Sequence, residues 1–265
     1  MIVSDEHRFV FVHIPKCAGT SVRQQIARFD STGGYFAGVK RHAELGTIDH
    51  GHIPLDKLEE HWSDAFAKLR TYRSFAIMRD PAVRFGSSLR QSLHFYAGQY
   101  TTEMTPTQAR DAALRLIERL ENGENLLDPK IAHFLPQVRF IYLDGKKIVS
   151  DVHDLGDLER FYDALSAITG AHFDTQRKAN RDLSFRHKAL VRPAYAVNAW
   201  LHRNAPLRLR DTLKRLVLPV LIHKQGATAR TGLLDDPEIK AFVTRFYADD
   251  FACYNALQRP AALPA

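Results

Sequence analysis

Residue types that bind phosphate well are gathered in one short loop near the start of the chain. They are Lys16, Ala18, Gly19, Thr20 and Ser21. Lys16 supplies a mobile positive charge, the hydroxyls of Thr20 and Ser21 can donate hydrogen bonds, and Gly19 lets a ligand approach the backbone closely. A helix that begins here would add the partial positive charge of its amide groups from Ala18 to Ser21. The loop is therefore a candidate phosphate-binding site.

The sequence on each side of this loop predicts the elements that hold it. Residues 9–12 are an apolar run typical of a buried strand, and residues 20–29 carry apolar side chains at helical spacing. Pro15 separates the two segments. A nucleoside triphosphate loop needs Gly-Lys-Ser/Thr in immediate succession, whereas Lys16 here precedes Gly19 by three residues. The alternative interpretation is an ordinary strand, turn and helix with an exposed lysine.

A second candidate phosphate ligand follows another apolar run. Residues 74–78 are typical of a strand buried on both faces of a parallel sheet, and Arg79 comes directly after them. The planar fork of arginine can donate two bonds to one phosphate. Ser87 lies eight residues later in a predicted helix and can return to the same group. The alternative is a local ion pair between Arg79 and Asp80. Ligands bind outside the carboxyl ends of parallel strands, where both Arg79 and the Lys16 loop fall.

His50 and His52 are candidates for proton transfer. Histidine suits a general base at neutral pH, because its ordinary pKa is about 6.5. Two histidines at this spacing could also be metal ligands, but no convincing third and fourth ligand cluster follows in the sequence. They could also be ordinary loop histidines among the thirteen of the chain.

Together these stretches resemble the carbohydrate sulfotransferases that use 3′-phosphoadenosine 5′-phosphosulfate (PAPS). Pro-Lys-x-x-Gly-Thr-Ser is similar to their 5′-phosphosulfate loop, and Arg-Asp-Pro-x-x-Arg-Phe with Ser87 is similar to their 3′-phosphate-binding segment. His-Gly-His between them looks like the arrangement in heparan sulfate 2-O-sulfotransferases and their bacterial relatives. His133-x-x-Pro-Gln137 is a weaker match, with a structural or acceptor-facing role.

The resemblance implies PAPS as the donor substrate and a carbohydrate hydroxyl as the acceptor. His52, before His50, would take the acceptor proton, and turnover would rise through a pKa of roughly 6 to 7. Lys16 would offset charge on the departing nucleotide, while the residues from Ala18 to Ser21 would hold the 5′-phosphate. Arg79 and Ser87 would hold the 3′-phosphate. Lys178 and Arg181 lie where the family places a segment that closes over the nucleotide, although a basic surface loop is the equal alternative. No metal is required.

The alternation of strands and helices predicts an α/β fold with a P-loop-like, mainly parallel sheet flanked by helices, and a helical C-terminal region. We expect one domain over residues 1–265, with a nucleotide-binding core at 1–185 and a basic helical region and closing helix at 186–265. Thr105 to Gln108 predict a capping box at a helix start. Further strands are predicted at 139–143 and 149–152, and helices at 55–69, at 158–168 with Gly170 after its end, and from 237 to about 254.

The charge of the chain is uneven. The net charge is +7, but residues 186–230 hold ten Lys/Arg against the single acid Asp211. This stretch is a candidate surface for an anionic polymer or a peripheral membrane contact, and we expect no nucleic-acid partner. Two cysteines give no disulfide framework. With no secretory signal or membrane span visible, we expect a cytoplasmic protein, with possible peripheral membrane contact.

Two other functions remain open from the sequence. A nucleotide-dependent kinase would require a Gly-Lys-Ser/Thr loop and an acidic Mg²⁺ ligand at a strand end. A non-catalytic module that binds an anionic polymer would use the basic stretch at 186–230 and require no nucleotide.

Overall fold

The computed structural model describes residues 1–97, 104–123, 125, 127–175, 184–185, 222–223 and 232–258. Its strands, in chain order, are β1 (Ile2–Ser4), β2 (Phe9–Val12), β3 (Val39–His42), β4 (Gly46–Asp49), β5 (Arg73–Met78), β6 (Tyr142–Leu143), β7 (Lys146–Lys147), β8 (Asp151–Asp154), β9 (Ser184–Phe185) and β10 (Ile222–His223).

Helices alternate with these strands along much of the chain. The α-helices are α1 (Gly19–Ile26), α2 (Leu55–His61), α3 (Ser63–Thr71), α4 (Pro81–Ala97), α5 (Pro106–Glu121), α6 (Leu158–Thr169), α7 (Pro237–Phe246) and α8 (Ala248–Gln258). Short 3₁₀ helices span Ala27–Phe29, Ala132–Phe134, Gln137–Phe140 and Gly232–Asp235.

A four-stranded sheet in the order β1-β2-β5-β8 forms the centre of the fold. β2, β5 and β8 are parallel, and β1 pairs antiparallel with β2. All residues of β2 and all but Arg73 of β5 are buried, as expected for parallel strands covered on both faces. The mixed α/β fold with a mainly parallel sheet is therefore confirmed. Its P-loop-like character stays a prediction.

Two apolar clusters support the sheet and the helices beside it. The larger cluster holds the sheet side chains together with residues of α1, α2, α3 and α6. The second joins α4, α5 and α7 through buried side chains that include Phe85, Leu116 and Phe242. The predicted capping box at Thr105 and Gln108 is confirmed, and Gly170 ends α6 in the left-handed conformation.

Several predicted elements differ in the structure. The strand predicted at 139–143 is confirmed for Tyr142–Leu143 alone, which form β6 and pair with β7, whereas Gln137–Phe140 is a 3₁₀ helix. The amides of Gln137 and Val138 donate to the Asp250 carboxylate at 2.8 and 2.9 Å, which holds the start of this 3₁₀ helix. The strand predicted at 149–152 lies two residues later, as β8. Residues 39–49 form the β3–β4 hairpin.

Both long helices predicted from periodicity are interrupted. The helix expected at 55–69 is divided at Trp62, whose φ and ψ of −138° and 55° are not helical. The final helix is divided at Tyr247, with φ and ψ of −109° and 28°. Tyr247 is buried and donates its hydroxyl to the Phe134 carbonyl at 2.8 Å, so tertiary packing accompanies this break.

The chain divides into two compact units. Residues 1–179 and 231–265 form one, and residues 180–230 form the other, in which β9 pairs antiparallel with β10. The division predicted at residue 185 stays a prediction. Among the described helices, none combines the length and the apolar content needed to cross a bilayer.

Candidate active site

The loop after β2 has a backbone conformation that suits an anion. Lys16 and Ala18 have φ angles of 66° and 57°, while Cys17 between them does not have a positive φ. Left-handed residues are uncommon without glycine and cost about 1–2 kcal/mol each. Such strain clusters at ligand sites. A backbone whose successive residues alternate in the sign of φ turns its amides toward one concave side, which can bind an anion.

Helix α1 begins directly after this loop. The amides of Ser21 and Val22 donate to the Ala18 carbonyl at 2.9 and 3.1 Å, so both are engaged within the first turn. The earliest amides of a helix have no acceptor four residues back, which favours Gly19 and Thr20 as phosphate donors. The Thr20 side chain is exposed and Ser21 is buried.

Gly19 makes room for His13. A Cβ atom at position 19 would lie 1.7 Å from the His13 ring, which no packing permits. The His13 ring in turn packs on His52, with 4.3 Å between the ring centroids. Glycine at position 19 therefore serves the histidine packing as well as the loop.

Arg79 follows β5 and lies beside the Lys16 loop, because β2 and β5 are parallel neighbours. Its guanidinium donates to the Lys16 carbonyl at 3.4 Å. The buried Gln137 side chain accepts from the Arg79 amide at 3.0 Å and donates to its carbonyl at 2.9 Å. The Asp80 carboxylate accepts from the Val83 amide at 2.9 Å and so caps α4. The two predicted phosphate-binding segments thus meet.

Helix α4 contributes one residue that the sequence analysis missed. Ser87 is partly buried in the second turn of α4, and Gln91 lies four residues later on the same helix face. The side-chain oxygen of Gln91 accepts from the Lys16 ammonium at 2.5 Å. The Lys16 side chain therefore reaches the face of α4 that carries Ser87. The spacing from Ser87 was the only signal for Gln91.

His52 lies at the same edge of the sheet. Its Nδ1 is 3.0 Å from the His13 carbonyl oxygen, and its Nε2 is 3.8 Å from Asp49 Oδ2. A carbonyl only accepts hydrogen bonds, so Nδ1 carries the proton and Nε2 keeps its lone pair in the neutral ring. Burial lowers the pKa of His52, while Asp49 and the His13 carbonyl act in the opposite direction.

His50 has a different environment. It is buried, and its ring packs against Tyr35, Trp62 and His42 at centroid distances of 5.4, 5.5 and 6.4 Å. Within the described part of the chain, neither ring nitrogen has a hydrogen-bond partner. Burial lowers the pKa of His50. Among the contacts of the described residues, His52 and not His50 meets His13 at the strand end that precedes the Lys16 loop.

The His133 ring lies against the His52 ring. Its ring is nearly perpendicular to that of His52 at 5.3 Å. Burial lowers the pKa of His133 to about 3. Ligand atoms of Asp49, His52 and His133 all lie within 4.8 Å of one another. The sequence analysis missed this group, because His133 is 81 residues from His52.

Buried polar contacts connect the segment that carries His133 to helices α4 and α8. Arg84 is fully buried and donates to the carbonyls of His133 and Leu135 at 3.0 and 2.8 Å. It also lies 3.7 Å from the buried Asp250 carboxylate. Ser88 donates to the same His133 carbonyl at 2.9 Å.

The predicted nucleotide contacts Lys178 and Arg181 lie outside the described residues, as does most of the basic stretch at 186–230.

Comparison with known proteins identifies the class. The sulfotransferase family matches residues 1–255. The chain therefore belongs to the sulfotransferase family, which indicates a transferase that moves a sulfuryl group to an acceptor substrate. No curated protein and no solved structure matches the chain.

Proposed function

We propose that the chain transfers a sulfuryl group from PAPS to a hydroxyl of a carbohydrate, with His52 as the general base. The observation that carries the proposal is the convergence at the carboxyl ends of β2 and β5. There Arg79 contacts the Lys16 carbonyl, and His52 contacts the His13 carbonyl. The proposed donor-binding groups and the proposed base thus lie at one edge of the sheet, where ligand sites of parallel sheets lie.

The chemistry assigns a task to each group. The acceptor oxygen forms a bond to sulfur, while the bond from sulfur to the bridging 5′-phosphate oxygen breaks and its electron pair leaves with the nucleotide. The acceptor proton passes to Nε2 of His52. Lys16 and the helix amides offset the charge that develops on the leaving phosphate, which is a preorganised electrostatic role.

Arg79 and Ser87 are assigned to the 3′-phosphate. Arg79 follows β5, and the Gln137 side chain holds its backbone through two hydrogen bonds. The backbone that carries the guanidinium is therefore fixed. The Lys16–Gln91 contact brings the Lys16 ammonium to the helix face of Ser87. Recognition of the 3′-phosphate would distinguish PAPS from ATP, which has no phosphate there.

The heparan sulfate 2-O-sulfotransferase branch is supported by the His-Gly-His motif and by the position of His52. The carbohydrate acceptor rests on the same resemblance. The basic stretch at 186–230 stays a predicted surface for an acidic acceptor or a membrane. Lys178 and Arg181 stay predicted nucleotide contacts.

A thermal-shift comparison tests the donor. We expect 3′-phosphoadenosine 5′-phosphate at 100 times its dissociation constant to stabilise the chain by about 2.7 kcal/mol. ATP with Mg²⁺, ADP and AMP should stabilise it far less at equal concentration. Equal stabilisation by ATP with Mg²⁺ would support the kinase alternative. Salt-sensitive binding of an anionic polymer without any nucleotide effect would support the non-catalytic alternative.

A further inference from the structure

Three potential metal ligands meet at His52. The facing atoms of Asp49, His52 and His133 lie within 4.8 Å of one another, and the distance from His52 Nε2 to Asp49 Oδ2 is 3.8 Å. Two imidazoles and one carboxylate are ligands that Zn²⁺ accepts, with a further position left for water or substrate. Within the described ranges, no other trio of His, Cys, Asp or Glu brings ligand atoms this close.

Outer contacts hold each ligand in place. His52 directs Nδ1 to the His13 carbonyl at 3.0 Å, the arrangement that fixes a metal-binding histidine so that its other nitrogen faces the ion. Asp49 Oδ1 accepts from the Gly51 amide at 2.8 Å, and this anchors the carboxylate while Oδ2 faces His52. Buried Arg84 and Ser88 hold the His133 backbone through its carbonyl.

The charge balance makes Asp49 the decisive ligand. The two imidazoles contribute no negative charge, whereas the Asp49 carboxylate does. Without that carboxylate, a divalent ion would face two neutral rings.

We propose that Asp49, His52 and His133 bind Zn²⁺ or a cation of the same class, and that the bound ion inhibits sulfuryl transfer. Inhibition follows because the ion occupies the Nε2 lone pair of His52, which must otherwise take the acceptor proton. The binding half of the proposal stands by itself. The inhibitory half rests on the proposed function.

Metal binding is measured without turnover. The full chain, with no histidine tag, is stripped with EDTA, exchanged into chelator-free buffer and titrated with Zn²⁺ by calorimetry, and Co²⁺ is followed by its visible absorption. We expect one site per chain that His133→Ala and Asp49→Asn each weaken about 10-fold or more. His61→Ala is the matched control, because this buried-ring histidine belongs to the separate His42 and Trp62 group, and it should leave the affinity unchanged.

Specific results would overturn the binding half. Absence of a stoichiometric site in the wild type would do so, as would equal affinity in wild type and Asp49→Asn. Loss of the site in His61→Ala, but not in His133→Ala, would place the metal elsewhere. Thermal melting of each metal-free variant checks that it folds. If His133→Ala does not fold, Asp49→Asn, whose amide oxygen can still accept from Gly51, decides the question.

Turnover then tests inhibition. Zn²⁺ should inhibit the wild type competitively against the acceptor and not against the nucleotide. In His133→Ala, the inhibitory Zn²⁺ concentration, taken relative to the metal-free rate of that variant, should rise about 10-fold or more. Stimulation by Zn²⁺, or tight binding without inhibition, would refute the inhibitory half. A chain that binds Zn²⁺ but transfers no sulfuryl group would instead refute the proposed function and leave the metal site intact.

Discussion

The Nδ1 atom of His52 lies 3.0 Å from the carbonyl oxygen of His13. His13 comes one residue after β2, and Lys16 follows three residues later. A single hydrogen bond therefore links the candidate base to the strand end from which the phosphate loop starts. It also selects the ring tautomer in which Nε2 is the base, and it does so without using a charged group.

His52→Ala is expected to abolish sulfuryl transfer and leave nucleotide affinity intact. General-base catalysis contributes about 10² to 10⁴ in rate, so the loss will be plain in a turnover assay, with calorimetry of 3′-phosphoadenosine 5′-phosphate in parallel. His50→Ala is the matched control, and it should cost much less, because His50 packs among Tyr35, Trp62 and His42. Near-normal turnover in His52→Ala with loss in His50→Ala would exchange the two roles.

The pH profile should rise at lower pH than an ordinary histidine would give. The neutral form of His52 is the base, and burial lowers its pKa below about 6.5. The imidazole therefore loses its proton below that pH, and turnover measured with EDTA present should already approach its plateau at neutral pH. This favours the lower half of the range of roughly 6 to 7 expected from the sequence.

Asp49→Asn tests the titration of His52 by the direction in which the acid limb of the pH profile moves. The Asp49 carboxylate raises the pKa of His52, because it stabilises the protonated ring. Its removal should lower that pKa further and move the acid limb of the profile to lower pH. The amide oxygen of asparagine can still accept from the Gly51 amide, so the loop is retained. An acid limb that moves to higher pH would show that another group controls it.

Arg79→Ala should weaken binding of 3′-phosphoadenosine 5′-phosphate by about 1.5–3 kcal/mol, the range for hydrogen bonds to charged groups. The effect should be much smaller for a nucleotide without the 3′-phosphate. Arg160→Ala is the control: its side chain is 82% exposed in an ion pair with Asp157, and exposed pairs contribute little. Calorimetry that finds equal affinity in Arg79→Ala and wild type removes Arg79 from the site.

Local sequence predicted the parts of the fold that local patterns determine. Residues 9–12 and 74–78 are continuous apolar runs, and both are buried strands of the sheet. β8 was misplaced because its sequence, Asp-Val-His-Asp, is polar and half-buried. Its position depends on pairing with β5, where Met78 meets Asp154. No pattern within one segment carries that information.

The same limit applies to the site. The Lys16 loop and Arg79 were recognisable from spacing, since each immediately follows an apolar run. Gln91 was not recognised as a neighbour of the site, and the resemblance left the role of His133 open between structural and acceptor-facing, because helix α4 and the 132–134 turn reach the site through tertiary packing. Asp49 was overlooked for another reason: an acidic residue before a histidine is common, and only the β4 end places it 3.8 Å from Nε2.

Gly19→Ala should disturb both the loop and the base. Its Cβ would fall 1.7 Å from the His13 ring, so that ring must move, and overpacking of this kind costs about 1–3 kcal/mol. Because His13 packs on His52, turnover should fall as well. Gly86→Ala is the matched control, since its Cβ would meet Leu234 at an ordinary 3.5 Å and alanine favours a helix by about 0.5–1 kcal/mol.

Urea denaturation and turnover of both glycine variants decide this prediction. Gly86→Ala is expected to be neutral or more stable than wild type, with turnover retained. Gly19→Ala should lose both stability and turnover. A Gly19→Ala chain with wild-type stability and turnover would mean that the His13 ring relaxes freely, and the coupling between the loop and the histidines would be refuted.

Gln91→Glu should weaken nucleotide binding by at least about 10-fold. Gln91 accepts from the Lys16 ammonium at 2.5 Å, so the substitution places a carboxylate beside the ammonium that is proposed to meet the nucleotide phosphates. Two like charges about 4 Å apart repel by about 4 kcal/mol near a protein surface, and even a third of that corresponds to about 10-fold in affinity.

Gln91→Ala is the control, because it removes only a neutral acceptor and should change affinity much less. The measurement is calorimetry of 3′-phosphoadenosine 5′-phosphate at low and moderate salt, where screening should reduce the loss in Gln91→Glu. Equal affinity in the glutamate and alanine variants at low salt would show that the Lys16 ammonium does not meet the nucleotide phosphates beside α4.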